Sequence, residues 1–165
     1  MFSIGETVLY GHEGVCIIER MEEMKVGRSK GQYYVLRPVY HNSSVVFVPA
    51  NNPLLLQKIR PILTKEEIDE LLRQTAQQEV EWIDDAAQRK STFQAIVASG
   101  ERGQLLQMLR LLHLHREALQ QRGKYLRASD EQLLREAEKL LHSEFAYVLQ
   151  IPQSQVNHYI CEYLK

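Results

Sequence analysis

The stretch Ile59-Arg60-Pro61-Ile62-Leu63-Thr64-Lys65-Glu66-Glu67-Ile68-Asp69-Glu70-Leu71-Leu72 decides the fold, because the period of the chain changes inside it. Ahead of Pro61 the apolar residues come in short β-branched and aromatic runs divided by turn residues. After Thr64 they recur at three- and four-residue steps. Thr64-Lys65-Glu66-Glu67 is also a capping box: the Thr64 hydroxyl can accept from the amide of Glu67, and the Glu67 carboxylate can return to the amide of Thr64. A β region therefore gives way to a helical one at this point.

Working back from the boundary, strands are expected over residues 6–10, 15–20, 32–39, 44–48 and 54–59. Gly11-His12-Glu13-Gly14 forms a turn, residues 24–31 a polar connection, and His41-Asn42-Ser43 a turn cluster. Five short strands in about sixty residues suggest a small SH3- or Tudor-like barrel. Working forward, helices are expected from Thr64 to about residue 78, over 84–98 with a stop at Ser99-Gly100, and over 102–121. A fourth is capped by Ser129 and runs to about 149, and a short fifth has Pro152 in its first turn. The fold class is α+β, with a β domain over residues 1–62 and a bundle of about five helices over 63–165.

The chain has 165 residues, of which 44% are hydrophobic and 25% charged, as in an ordinary globular protein. No apolar run is long enough to span a bilayer, and the N-terminus has no secretory pattern, so a cytoplasmic location with no membrane partner is expected. Cys16 and Cys161 then read as two reduced thiols. The net charge of −1 conceals a segregation. Residues 89–127 carry Arg89, Lys90, Arg102, Arg110, Arg116, Arg122, Lys124 and Arg127 against Glu101 and Glu117, whereas the flanking segments are acidic. A local excess of this size suits a polyanion, and it equally suits a solvated helix face.

Enzymatic chemistry finds no foothold. His113 and His115 lie about 200° apart around a helix and cannot share a metal unaided. No Cys or His stands at ligand spacing from Cys16 or Cys161, no glycine-rich loop joins a strand to a helix, and no serine sits in a nucleophile elbow. No catalytic residue, metal or cofactor is expected. Trp82, the only tryptophan, lies between two expected helices, and two placements are open. Buried, it anchors their packing and its indole N–H needs a partner. Exposed, it is a flat apolar wedge for an unstacked base step, with Arg89 and Lys90 close by for phosphates.

Several spaced motifs resemble the bacterial CarD/CdnL family, whose N-terminal module is shared with the polymerase-binding domain of transcription-repair coupling factors. In the first half they are Phe2-x-x-Gly5-x-x-Val8-x-Tyr10, Gly11-His12-x-Gly14, Tyr34-Val35-Leu36, Val46-x-Val48-Pro49-x-Asn51 and Ile59-Arg60-Pro61-Ile62. In the second they are Trp82, Arg89, Phe93, Ala98-Ser99-Gly100, Leu105-x-x-x-Leu109-x-x-Leu112 and Ala137-x-x-Leu140-Leu141-x-x-Glu144-x-Ala146.

The resemblance implies a transcription regulator. Its β domain would add strand edge to strand edge on the RNA polymerase β subunit, through Met24, Lys25, Val26, Val45, Val46 and Phe47. Its helical domain would contact promoter DNA at the upstream edge of the bubble without reading sequence. Trp82 would be the wedge, and Arg89, Lys90, Arg122, Lys124 and Arg127 would grip the backbone. The chain departs from the family at Phe47, where some relatives carry a basic residue, and in a longer span between Trp82 and Ala98. A monomer is expected, with an edge-strand dimer as the alternative. A second functional reading is a protein–protein adaptor that never meets DNA.

Overall fold

A computed structural model describes residues 2–40 and 44–164; the expected turn at His41-Asn42-Ser43 lies outside them. The chain divides into two compact units, Met1–Leu63 and Thr64–Lys165.

The first unit is a five-stranded antiparallel sheet in the order β4-β3-β2-β1-β5. The strands are β1 (Thr7–Tyr10), β2 (Gly14–Val26), β3 (Ser29–Pro38), β4 (Val46–Pro49) and β5 (Ile59–Pro61). Three expectations fail here. The ladder does not close into a barrel: among the described residues, β4 and β5 are its two edges and do not pair with each other. They are four and three residues long, and each ends in a proline that has no N–H to offer a neighbour.

The polar connection expected over residues 24–31 is in fact the distal half of a long hairpin, paired without a break from Arg20↔Val35 to Val26↔Ser29. Gly27, at φ +63, takes the first central place of its two-residue turn, which favours glycine. Polar residues on both faces of this arm erased the alternation that marks a half-buried strand. Nearer the sheet a bulge between Ile18 and Arg20 shifts the register.

The strand expected over 54–59 is also revised. The Asn52 side chain accepts from the amides of Leu54 and Leu55 at 3.1 and 3.2 Å, and Pro53 stands at the first helical position. Together they start a one-turn helix, α1 (Pro53–Leu56), ahead of β5. One face of the sheet buries Val8, Cys16, Ile18, Tyr34, Leu36, Val48 and Ile59 as a core. Burial pushes the Cys16 thiol up to about 12, so it stays protonated.

The second unit is five α-helices among the described residues: α2 (Lys65–Gln77), α3 (Ala86–Ser99), α4 (Arg102–Gln120), α5 (Ala128–Leu149) and α6 (Val156–Leu164). Both halves of the Thr64 capping box form, at 3.1 Å each. Gly100, at φ +65, closes α3. Ser129 is not a cap, because α5 begins a residue earlier with Arg127 in the cap position. Pro152 opens a short 3-10 turn that leads into α6, rather than α6 itself. Helix α5 packs on α2, α3, α4 and α6 and buries Leu133, Leu134, Ala137, Leu141 and Phe145.

Candidate nucleic-acid interface

Trp82 lies in the coil between α2 and α3 and is half-buried, neither sealed nor free. Its indole stacks on the imidazole of His115 from α4, with ring centroids 3.8 Å apart and planes 12° apart. Phe93 from α3 packs against it at a steep angle, with ring centroids 6.4 Å and planes 65° apart, and the Arg89 guanidinium carbon lies 4.6 Å from its centroid, a cation–π contact. The indole N–H has no hydrogen bond among the described residues, yet it is not among the buried unpartnered atoms. It therefore reaches solvent.

Arg89 is 4% exposed. Its Nε and Nη2 donate to both carboxylate oxygens of Asp130 on α5, at 3.0 and 2.8 Å. Its Nη1 donates to the carbonyls of Ile83 and Asp84, at 2.8 and 3.3 Å. Every arm of the fork is occupied inside the fold, so Arg89 is not a phosphate ligand; it ties the coil that carries Trp82 to the first turn of α5. Asp85 caps α3 by accepting from the amides of Ala87 and Gln88, which accounts for one of the two acidic residues at that helix start. Burial, and after it the Arg89 charge, pulls the His115 imidazole below its ordinary value; Asp130 and Asp84 oppose this. His115 therefore stacks as a neutral ring at neutral pH.

The other basic candidates are exposed: Lys90 on α3, next along the helix from Arg89, and Arg122, Lys124 and Arg127 in the turn between α4 and α5. None makes an ion pair among the described residues. Arg127 is three residues ahead of Asp130, so the Arg89–Asp130 pair brings Trp82 and this turn to the same end of the bundle. Among the histidines, His113 lies between Arg116 and Glu138, His142 meets Asn157, and His115 meets Trp82. The described residues contain no cluster able to hold a metal ion.

In the sheet unit, Phe47 on β4 is 40% exposed and Val46 is half-buried, both on an edge strand; Val45 immediately precedes it. Met24, Lys25 and Val26 pair with Gly31, Lys30 and Ser29 near the tip of the hairpin arm. The register puts Phe47 opposite Val35, four residues along β3 from Gly31. The two groups are thus about 16 Å apart by strand rise and spacing, close enough for one partner to span.

Residues 2–62 match the model of the CarD-like/TRCF RID domain. The N-terminal unit is a CarD-like/TRCF RID domain. The resemblance drawn from its Gly, Tyr and Pro spacing is borne out there. Over 160 residues the chain is 27% identical to "Putative transcription factor YdeB" of Bacillus subtilis (strain 168), an alignment covering 96% of this chain and 99% of that protein. No helix among the described residues is long and apolar enough to cross a membrane.

Sequence reasoning missed the internal ion pairs. Arg102 donates from Nε and Nη2 to the two carboxylate oxygens of Glu144, each at 2.7 Å, and Glu144 is fully buried. Arg110 reaches back to the carbonyls of Thr75 and Gln78, both at 3.0 Å, at the end of α2. The signal was present. Arg89 shares a stripe with Phe93 and Val97, and Asp130 and Glu144 share one with Leu134, Ala137 and Leu141. Charges on an apolar stripe require partners.

Proposed function

We propose that this protein is a non-enzymatic transcription factor that docks on the RNA polymerase β subunit and contacts promoter DNA at the upstream edge of the bubble. The RID domain match and the transcription-factor relative support the polymerase half. Docking uses the open edge at β4 and the hairpin arm, with backbone hydrogen bonds supplying affinity and Phe47 an apolar anchor in place of an ion pair. The observation that carries the DNA half is the half-exposed Trp82, clamped by His115 and the Arg89–Asp130 pair with its N–H side toward solvent. A ring fixed in that way is rigid enough to wedge a splayed minor groove. Lys90, Arg122, Lys124 and Arg127 supply the phosphate contacts and Arg89 the support. Base-specific readout is not needed, so promoter choice follows from the stability of each bubble.

Preferring the open complex to the closed one shifts that equilibrium by the difference in affinity and no more; about 1.4 kcal/mol gives tenfold. Trp82→Ala is expected to leave retention on polymerase unchanged and to shorten the lifetime of open complexes roughly tenfold. An unchanged lifetime would remove Trp82 from the mechanism and favour the adaptor reading. Phe47→Glu is expected to abolish retention on a β-lobe fragment.

A further inference from the structure

The turn between α4 and α5 reads Arg122-Gly123-Lys124-Tyr125-Leu126-Arg127, and Tyr125 is 87% exposed, the most exposed large apolar side chain of the described residues. Among the described residues this ring has no hydrogen bond or ring contact. Its backbone is nevertheless firmly set. Gly123, at φ +69, donates to the carbonyl of Gln120 at 3.0 Å, and the Lys124 amide to that of Leu119 at 2.8 Å. These are the two bonds of a Schellman closure. Such closures usually fold an apolar residue back onto the helix; here the chain holds a lysine and then a tyrosine out into water.

Three cations lie within three residues of Tyr125 in sequence, Arg122, Lys124 and Arg127, all exposed in the same turn, and none has an ion-pair partner among the described residues. The nearest carboxylates in sequence are largely engaged elsewhere: Asp130 with Arg89 at 2.8 Å and Glu131 with Arg135 at 3.6 Å, leaving Glu117 on α4. The ligand chemistry that matches is a chain of negative charges carrying flat apolar faces. An unpaired base can lie on an open aromatic ring, whereas a base inside a duplex is already stacked on both sides. Trp82 is poorly placed for that task, because His115 already stacks on its ring.

We infer that Tyr125 is a base-stacking residue for single-stranded nucleic acid, with Arg122, Lys124 and Arg127 holding the adjoining phosphates. The inference rests on the proposed DNA-contacting role of the helical unit and divides its labour: Trp82 props strands apart, and Tyr125 receives a base set free.

The test is fluorescence anisotropy of the full-length chain with a labelled oligothymidine and with a duplex of equal length, across a salt series. Tyr125→Ala is expected to weaken single-strand binding roughly tenfold and duplex binding much less, while Tyr125→Phe binds as wild type. Lys124→Glu with Arg127→Glu is expected to weaken both and to flatten the single-strand salt slope by about 1.4. Wild-type binding by Tyr125→Ala would overturn the inference, leaving a phosphate grip only. So would Tyr125-dependent binding of a polyglutamate peptide or of phosphatidylserine vesicles without binding of the oligonucleotide. The two readings fail separately. Loss of the Trp82 effect on open complexes with Tyr125-dependent oligonucleotide binding intact sinks the promoter role alone; the reverse result sinks the stacking site alone.

Discussion

The two units solve the problem of ionic groups in opposite ways. The sheet unit keeps its ion pairs outside: Glu19 with Arg37 and Arg20, and Glu23 with Lys30, all between partly exposed side chains. Arg37 holds the Glu19 carboxyl below the usual carboxylate range. The helical unit takes its ions in: among the described residues, Arg89, Asp130 and Glu144 are its buried charges, and the sheet unit has none. The difference follows from how each architecture is held in register. A sheet is indexed by its ladder, and a one-residue slip turns every side chain to the wrong face. Helices share no backbone hydrogen bonds, and their leucine stripes tolerate rotation and sliding. The Arg89–Asp130 fork between α3 and α5 and the Arg102–Glu144 fork between α4 and α5 each fix one alignment, a role best attested for buried polar groups in helical assemblies.

Breaking one fork is the severest way to test this contrast. Asp130→Ala strands a buried guanidinium and is expected to cost about 3–5 kcal/mol, read as a drop in the urea midpoint followed by Trp82 emission. The Arg89→Met, Asp130→Leu double variant is expected to recover most of that stability while leaving Trp82 less rigidly held. If the double variant is as unstable as Asp130→Ala, the fork is not the cause.

A smaller effect follows from pH. The folded His115 titrates below the unfolded value of about 6.5. Between the two values the unfolded chain holds the extra proton. The contribution is complete above the unfolded value and is lost as pH falls through the folded one. His113, lowered chiefly by burial, adds to the same slope. His115→Phe, which keeps a flat ring on Trp82, is expected to lose less stability than wild type between pH 7.5 and 5; equal losses would exclude His115 as the source. The smallest effect belongs to the sheet: Glu19→Gln is expected to leave the thermal midpoint unchanged within error, because that pair is solvated.

This contrast also explains what could be read in advance. The start of α2 at Thr64 was legible because a capping box is a local code, written in four adjacent residues. The helices were legible because their buried faces repeat. The hairpin arm was not, since Glu22, Glu23, Lys25 and Lys30 leave no apolar alternation to detect, and α1 was hidden in a run of leucines that also reads as a strand. At the candidate site, Trp82 was singled out by its uniqueness and Arg89 by its charge, but the role of Arg89 depended on Asp130, 41 residues away. Tyr125 passed unnoticed because exposure of one aromatic is a property of the fold and leaves no periodic trace.

The hairpin arm has one more consequence. From Met21 outward, β2 has β3 on one side and, among the described residues, no strand on the other, and little of its length sits over the apolar core. Resistance to local opening should therefore fall along a single strand, from amides near Ile18 that open only with the whole unit to amides near Val26 that open on their own. The tip can then bend to meet a partner surface without loosening the sheet that anchors it.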